Sequence, residues 1–115
     1  MTLNATAEQI LHCWTSAIAE RDLTAISELF AKDAVFIATA PEPLVGQKQI
    51  RAYYEAAPQG LTAKAKLVLA VPQRAGLAIV ANVIFDLPNG TSLGGTLSLA
   101  YCLKDGIKLY HMAIK

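Results

Sequence analysis

The sequence predicts an α+β fold in which three N-terminal helices lie against one face of an antiparallel sheet. Three observations predict it. Apolar residues recur at helical spacing as far as Ala57, the period changes to two from Thr62 onward, and Asn89-Gly90 and Asp105-Gly106 punctuate the second half as hairpin turns. With 115 residues, 54% of them apolar, the chain is expected to form one domain over residues 1–115 around a single core.

The first helix is expected to start near Thr6, because Thr6 and Gln9 have capping-box spacing. Behind them Ile10, Leu11, Trp14, Ala17 and Ile18 fall on one face. Asp22 reads as the N-cap of a shorter second helix that carries Leu23, Ile26, Leu29 and Phe30 inward. Val35-Phe36-Ile37 is too short for a helix and rich in strand formers, so it reads as a brief strand. Pro41, Pro43 and Gly46 break the chain before a third helix, Gln47–Ala57, with the stripe Ile50, Tyr53, Tyr54, Ala57. Four strands follow at Ala63–Val71, Leu77–Leu87, Thr91–Leu103 and Ile107–Lys115. The second and third are joined by a two-residue Asn89-Gly90 turn, with a bulge expected at Gly94-Gly95.

Composition narrows the function. A net charge of +1 gives no basic field for nucleic acid or an anionic membrane, and no apolar run is long enough to span a bilayer. Met1–Ile10 lacks the basic and apolar regions of an export signal, and Cys13 and Cys102 read as two free thiols, so a cytoplasmic location is expected. His12 and His111 have no clustered carboxylate or thiolate near them in sequence, so no metal is expected. Gly94-Gly95 follows no strand-to-helix turn, and no other cofactor motif stands out, so no cofactor is expected either.

The order of helix, helix, short strand, helix and meander resembles the nuclear-transport-factor-2-like superfamily, in its SnoaL-like and ketosteroid-isomerase-like branches. The likeness is carried by Asp22-Leu-Thr-Ala-Ile-Ser-Glu-Leu-Phe-Ala-Lys-Asp33-Ala-Val, by Gly46-Gln-Lys-Gln-Ile50-Arg-Ala-Tyr-Tyr54 and by the two Asx-Gly hairpins. It implies a cone: a strongly curved antiparallel sheet wrapped around the helices and enclosing an apolar pocket. It also locates the isomerase chemistry. The position of the carboxylate base falls on Ala38, that of the tyrosine donor on Trp14, and that of the protonated acid on Leu99. None of these can perform the isomerase proton transfers, so that mechanism is not expected here. The epoxide-hydrolase branch needs an Arg between two Asp residues, and no Arg falls on a predicted strand.

Strand alternation within such a cone assigns the pocket wall. With Leu99 inward, Leu97 and Tyr101 follow; the two-residue turn then sends Asn82, Ile84 and Asp86 inward, and the last strand contributes Tyr110, Met112 and Ile114. Trp14, Phe36, Ala38 and Tyr54 complete the lining. Asp86, the one carboxylate at an inward strand position, is the candidate catalytic residue; a solvated turn residue is the alternative. The opposite, convex face would carry Ile79, Ala81, Val83 and Phe85, an apolar surface expected to be covered by a second copy in a homodimer. Two functions stay open. One is a pocket protein that binds or transforms a compact apolar ligand. The other is a dimerising association module with a vestigial pocket.

Overall fold

Among the residues that the computed structural model describes, 2–115, the chain forms three helices and six strands: α1 (Leu3–Glu20), α2 (Leu23–Glu28), β1 (Phe30–Ile37), β2 (Leu44–Val45), α3 (Gln47–Glu55), β3 (Thr62–Gln73), β4 (Gly76–Asp86), β5 (Ser92–Cys102) and β6 (Gly106–Ile114). The strands make one curved, unclosed sheet in the order β2-β1-β6-β5-β4-β3. Every neighbouring pair is antiparallel except β1 and β6, which run parallel. Helices α1 and α3 cover the concave face, α1 chiefly against β3 and α3 against β1.

Helix α1 begins one turn earlier than its spacing predicts. The Thr2 hydroxyl accepts the Ala5 N–H at 3.0 Å, and Thr6, the expected cap, donates its own hydroxyl back to the Thr2 carbonyl. The buried stripe is the expected one: Ile10, Leu11, Trp14, Ala17 and Ile18, with Ala7 added. The helix ends on Arg21 in the left-handed region (φ 52°), and Asp22 caps α2 by accepting the Ala25 N–H at 3.0 Å. From that corner the Arg21 guanidinium donates to the Ala57 and Glu55 carbonyls at 2.9 and 2.8 Å, tying the α1–α2 turn to the end of α3.

Leu29 and Phe30 do not belong to α2. The Leu29 carbonyl accepts the Ile107 N–H at 2.9 Å, which turns the chain into the sheet and makes Phe30 the first residue of β1. Gly106 is required there: its φ is 98°, and a Cβ would lie 2.6 Å from the Leu29 oxygen.

The β4–β5 hairpin corrects the expected register. Leu87-Pro88-Asn89-Gly90 closes through the Gly90 N–H to the Leu87 carbonyl at 3.0 Å, with Gly90 at φ 89°, and the Leu87 N–H bonds the Thr91 carbonyl at 2.9 Å. The connection is therefore a three-residue loop, a turn with Pro at its second position followed by a left-handed Gly, and not a two-residue turn at Asn89-Gly90. One extra loop residue turns β4 over. Leu97 pairs with Ala81 and Leu99 with Ile79, so Leu77, Ile79, Ala81, Val83 and Phe85 face the core, and the first four are no more than 1% exposed. The sheet shifts register at Val68 and Lys108; Gly94 and Gly95 pair regularly with Ile84 and Val83 and form no bulge.

The convex face consequently carries the alternate set. Val80, Asn82 and Ile84 of β4 lie there with Leu69 and Val71 of β3, Thr96 and Ser98 of β5, and Leu109 and His111 of β6. None of the three helices packs on it.

Candidate functional site

An apolar cavity of about 330 Å³ opens between the end of α3 and the sheet. Each wall comes from a different element. Ala38 and Thr39 enter from the end of β1, Tyr53 and Tyr54 from α3, and Ala56, Ala57, Pro58 and Leu61 from the turn that follows it. Phe85 and Leu87 come from the end of β4, Leu93 from β5, and Tyr110, Met112 and Ile114 from β6. The parallel β1–β6 pairing sets Phe36 beside Tyr110, and their rings stack with centroids 4.1 Å apart and planes 4° from parallel. Phe36 also meets Tyr53 and Tyr54, at 4.8 and 5.7 Å, so the floor of the cavity is a packed aromatic cluster.

Few polar atoms reach this space. Trp14, 1% exposed, donates its indole N–H to the Tyr54 hydroxyl at 3.0 Å. Burial pushes the Tyr54 phenol well above its ordinary range, opposed by the Trp14 and Tyr110 hydrogen bonds. Burial likewise pushes Tyr110 well up, with the charge and hydrogen bond of Tyr54 adding to it. Both phenols are therefore neutral at physiological pH and serve as hydrogen-bonding groups. At the rim the Thr39 and Tyr53 hydroxyls lie 3.3 Å apart. The lining contains no Asp, Glu, His, Lys, Arg or Cys. Nothing in it can act as a general base near neutral pH.

A family model for the SnoaL-like domain matches residues 11–103. The chain belongs to that family. No curated protein matches this SnoaL-like domain significantly. Among solved structures it is similar to a conserved protein from Planctomyces limnophilus, at 15% identity and a TM-score of 0.75, over 94% of this chain and 92% of that one. It is similar also to a candidate polyketide cyclase from Sinorhizobium meliloti, at 22% identity and a TM-score of 0.64, over 91% and 94% of the two chains. A third is a candidate calcium/calmodulin-dependent protein kinase II association domain from Thiobacillus denitrificans, at 17% identity and 0.68, over 91% of each. At such identities these likenesses establish a shared fold.

Within the SnoaL-like domain, the residues expected at the pocket separate into three groups. Ala38, Tyr54, Tyr110, Met112 and Ile114 line the cavity. Trp14, Phe36, Leu97 and Leu99 lie beneath it as core, at most 4% exposed, and Tyr101 stands half-buried at the far end of β5 near the β3–β4 turn. Asn82, Ile84 and Asp86 are on the other side of the sheet, the consequence of the reversed β4 register. Asn82 is exposed between Lys66 and Thr96, and Ile84 is 49% exposed. Asp86 accepts the Ser92 hydroxyl at 2.6 Å and lies 3.7 Å from the Lys64 ammonium, outside the cavity lining. It is a hairpin-end carboxylate that cannot reach a ligand in the cavity, so its assignment as catalytic base is withdrawn. The same reversal places Ile79, Ala81, Val83 and Phe85 in the core and removes them from any dimer face.

Sequence reasoning missed Thr39, Tyr53, Leu61, Leu87 and Leu93 as wall residues. Tyr53 had a visible signal, since it shares the α3 stripe with Tyr54. Leu93 had one too, since it shares the inward parity of Leu97 and Leu99 on β5, but the bulge expected at Gly94-Gly95 interrupted that alternation.

Proposed function

We propose that this SnoaL-like domain is a small-molecule-binding protein whose cavity takes a compact, largely apolar ligand. The observation that carries the reading is the cavity itself: about 330 Å³, walled by aliphatic and aromatic side chains, with hydroxyls as its only polar side-chain groups. That size and make-up suit a small-molecule site. A lining without carboxylate, imidazole, amine or thiol side chains favours binding over proton-transfer chemistry. Thermal unfolding with a neutral bicyclic hydrocarbon such as indane tests the reading. A ligand at about 100 times its Kd stabilises by about 2.7 kcal/mol. Ala38→Phe, which fills the mouth, is expected to abolish the shift, whereas Asn82→Ala on the convex face keeps it. An unshifted Tm in the wild type refutes the reading.

A second reading concerns assembly, and one specific observation favours it. Val68, Leu69, Val71, Ile84 and Leu109 are 40–56% exposed on strands β3, β4 and β6, on a face without helical cover. We infer that a second copy covers this face in a homodimer. Light scattering on a sizing column is expected to return twice the 12.3 kDa chain mass, and Ile84→Lys to return the monomer. A wild-type monomer excludes the dimer. No described helix is long and apolar enough to cross a membrane. The unpaired thiols Cys13 and Cys102 support a cytoplasmic location.

A further inference from the structure

We propose that the cavity selects compact neutral alcohols and phenols, an apolar body with one terminal hydroxyl, and that Thr39 and Tyr53 at its rim receive that hydroxyl. The proposal rests on the ligand-binding reading above and adds the chemical class of the ligand and the way round it enters.

The polar groups of the lining are segregated. Inside, the Tyr54 oxygen takes the Trp14 N–H at 3.0 Å, and among the described residues no buried side-chain nitrogen or oxygen lacks a hydrogen-bond partner. A polar group carried inward would leave water and meet no vacant side-chain partner, so it lowers affinity. The rim is different. Thr39 is exposed and Tyr53 half-buried, so their hydroxyls stand at the water boundary. A ligand hydroxyl held there keeps a hydrogen bond while its apolar body fills the cavity.

The geometry of the pair names the group. Thr39 and Tyr53 lie 3.3 Å apart, and their contact uses one of their two protons. The pair keeps one donor and open acceptor lone pairs, so it suits a group that both donates and accepts. A hydroxyl does both. Bridging the pair, it closes a ring of three oxygens in which each donates once and accepts once, an arrangement that strengthens every member. An ether or ketone oxygen accepts only, and a carboxylate or ammonium would bring charge to a lining with no charged side chain. The existing contact is longer than the usual hydroxyl–hydroxyl range of about 2.5–3.0 Å, so a bridging oxygen replaces a weak bond. Tyr53 is held for this role by its ring, which packs against Phe36 at 4.8 Å and Tyr54 at 5.4 Å.

The test uses a stepped series of para-xylene, para-methylbenzyl alcohol and para-xylylene glycol, in which first one terminal methyl and then the other gains a hydroxyl. Trp14 is the only tryptophan in the chain and bonds Tyr54 in the lining, so its fluorescence reports all three titrations. The alcohol is expected to bind about fivefold tighter than para-xylene, the worth of one neutral hydrogen bond. The glycol is expected to bind at least about tenfold weaker than the alcohol, because its second hydroxyl points to the inner wall. Thr39→Val with Tyr53→Phe erases the alcohol's advantage and leaves para-xylene affinity unchanged, which also shows that the variant is folded. Thr39→Ser keeps the hydroxyl pair and the advantage. An alcohol no tighter than para-xylene, a glycol as tight as the alcohol, or an advantage that survives the double variant overturns the proposal while ligand binding stands. Failure of all three probes overturns the proposal, and failure of indane as well overturns the ligand-binding reading with it.

Discussion

Trp14→Phe tests the packing logic of the cavity floor. Trp14 is 1% exposed, its ring meets Phe85 at 5.9 Å and Tyr110 at 6.0 Å, and its N–H is donated to Tyr54. Phe replaces the indole with a ring smaller by two carbons and the nitrogen. Two buried carbons are worth about 1.6 kcal/mol, at about 0.8 each. Loss of the hydrogen bond adds about 1 kcal/mol, since the Tyr54 oxygen is left without its buried donor. The expected destabilisation is about 2.5 kcal/mol, or about 10 °C in Tm for a domain of this size. Urea unfolding followed by far-ultraviolet circular dichroism measures it without needing the lost fluorophore. Tyr54→Phe removes the same bond from the other side and is expected to cost about 1 kcal/mol. The double variant should then fall short of the sum of the singles by about 1 kcal/mol. Additive single effects, or a Trp14→Phe loss below about 1 kcal/mol, would refute the coupling.

Three further predictions follow from the register and the buried phenols. Val83→Asp places an unpaired charge in the core and is expected to unfold the chain, whereas its neighbour Asn82→Asp on the convex face changes stability by less than about 0.5 kcal/mol; circular dichroism distinguishes the two. Gly76→Ala would set a Cβ 1.9 Å from the Tyr101 carbonyl oxygen and is expected to cost about 3 kcal/mol in urea unfolding, while Gly94→Ala, with its nearest neighbour 4.0 Å away, is near neutral. Burial raises the folded pKa values of Tyr54 and Tyr110 above the unfolded value of about 10, so above that pH the unfolded chain releases protons the native chain keeps. Stability is intact below about pH 10 and falls as pH rises beyond it. Tyr54→Phe and Tyr110→Phe are each expected to remove one phenolate's absorbance from the alkaline unfolding step.

The helical half of the fold was legible because its signals are local. The α1 stripe, the Asp22 cap and the Gly46 break each depend on a few neighbouring residues, and all three are found where expected, although α1 starts one turn earlier. Phe30 escaped because its helical spacing after Ile26 competes with a tertiary contact, the Ile107 N–H on the Leu29 carbonyl. The two-residue strand β2 is too short to leave a pattern. The pocket wall depended on one integer, the length of the β4–β5 loop. Asn89-Gly90 is the usual mark of a two-residue turn, but Pro88 would then have to donate a backbone N–H that it lacks. That residue announced the longer loop. Reading it correctly would have sent Asn82, Ile84 and Asp86 outward and left the cavity without a carboxylate.

The apolar cavity between α3 and the ends of β4 and β6 is what the functional reading stands on, and a crystal structure grown with indane tests it. Ligand density between Tyr54, Tyr110 and Met112 is the predicted result. A cavity left empty at saturating indane would contradict it.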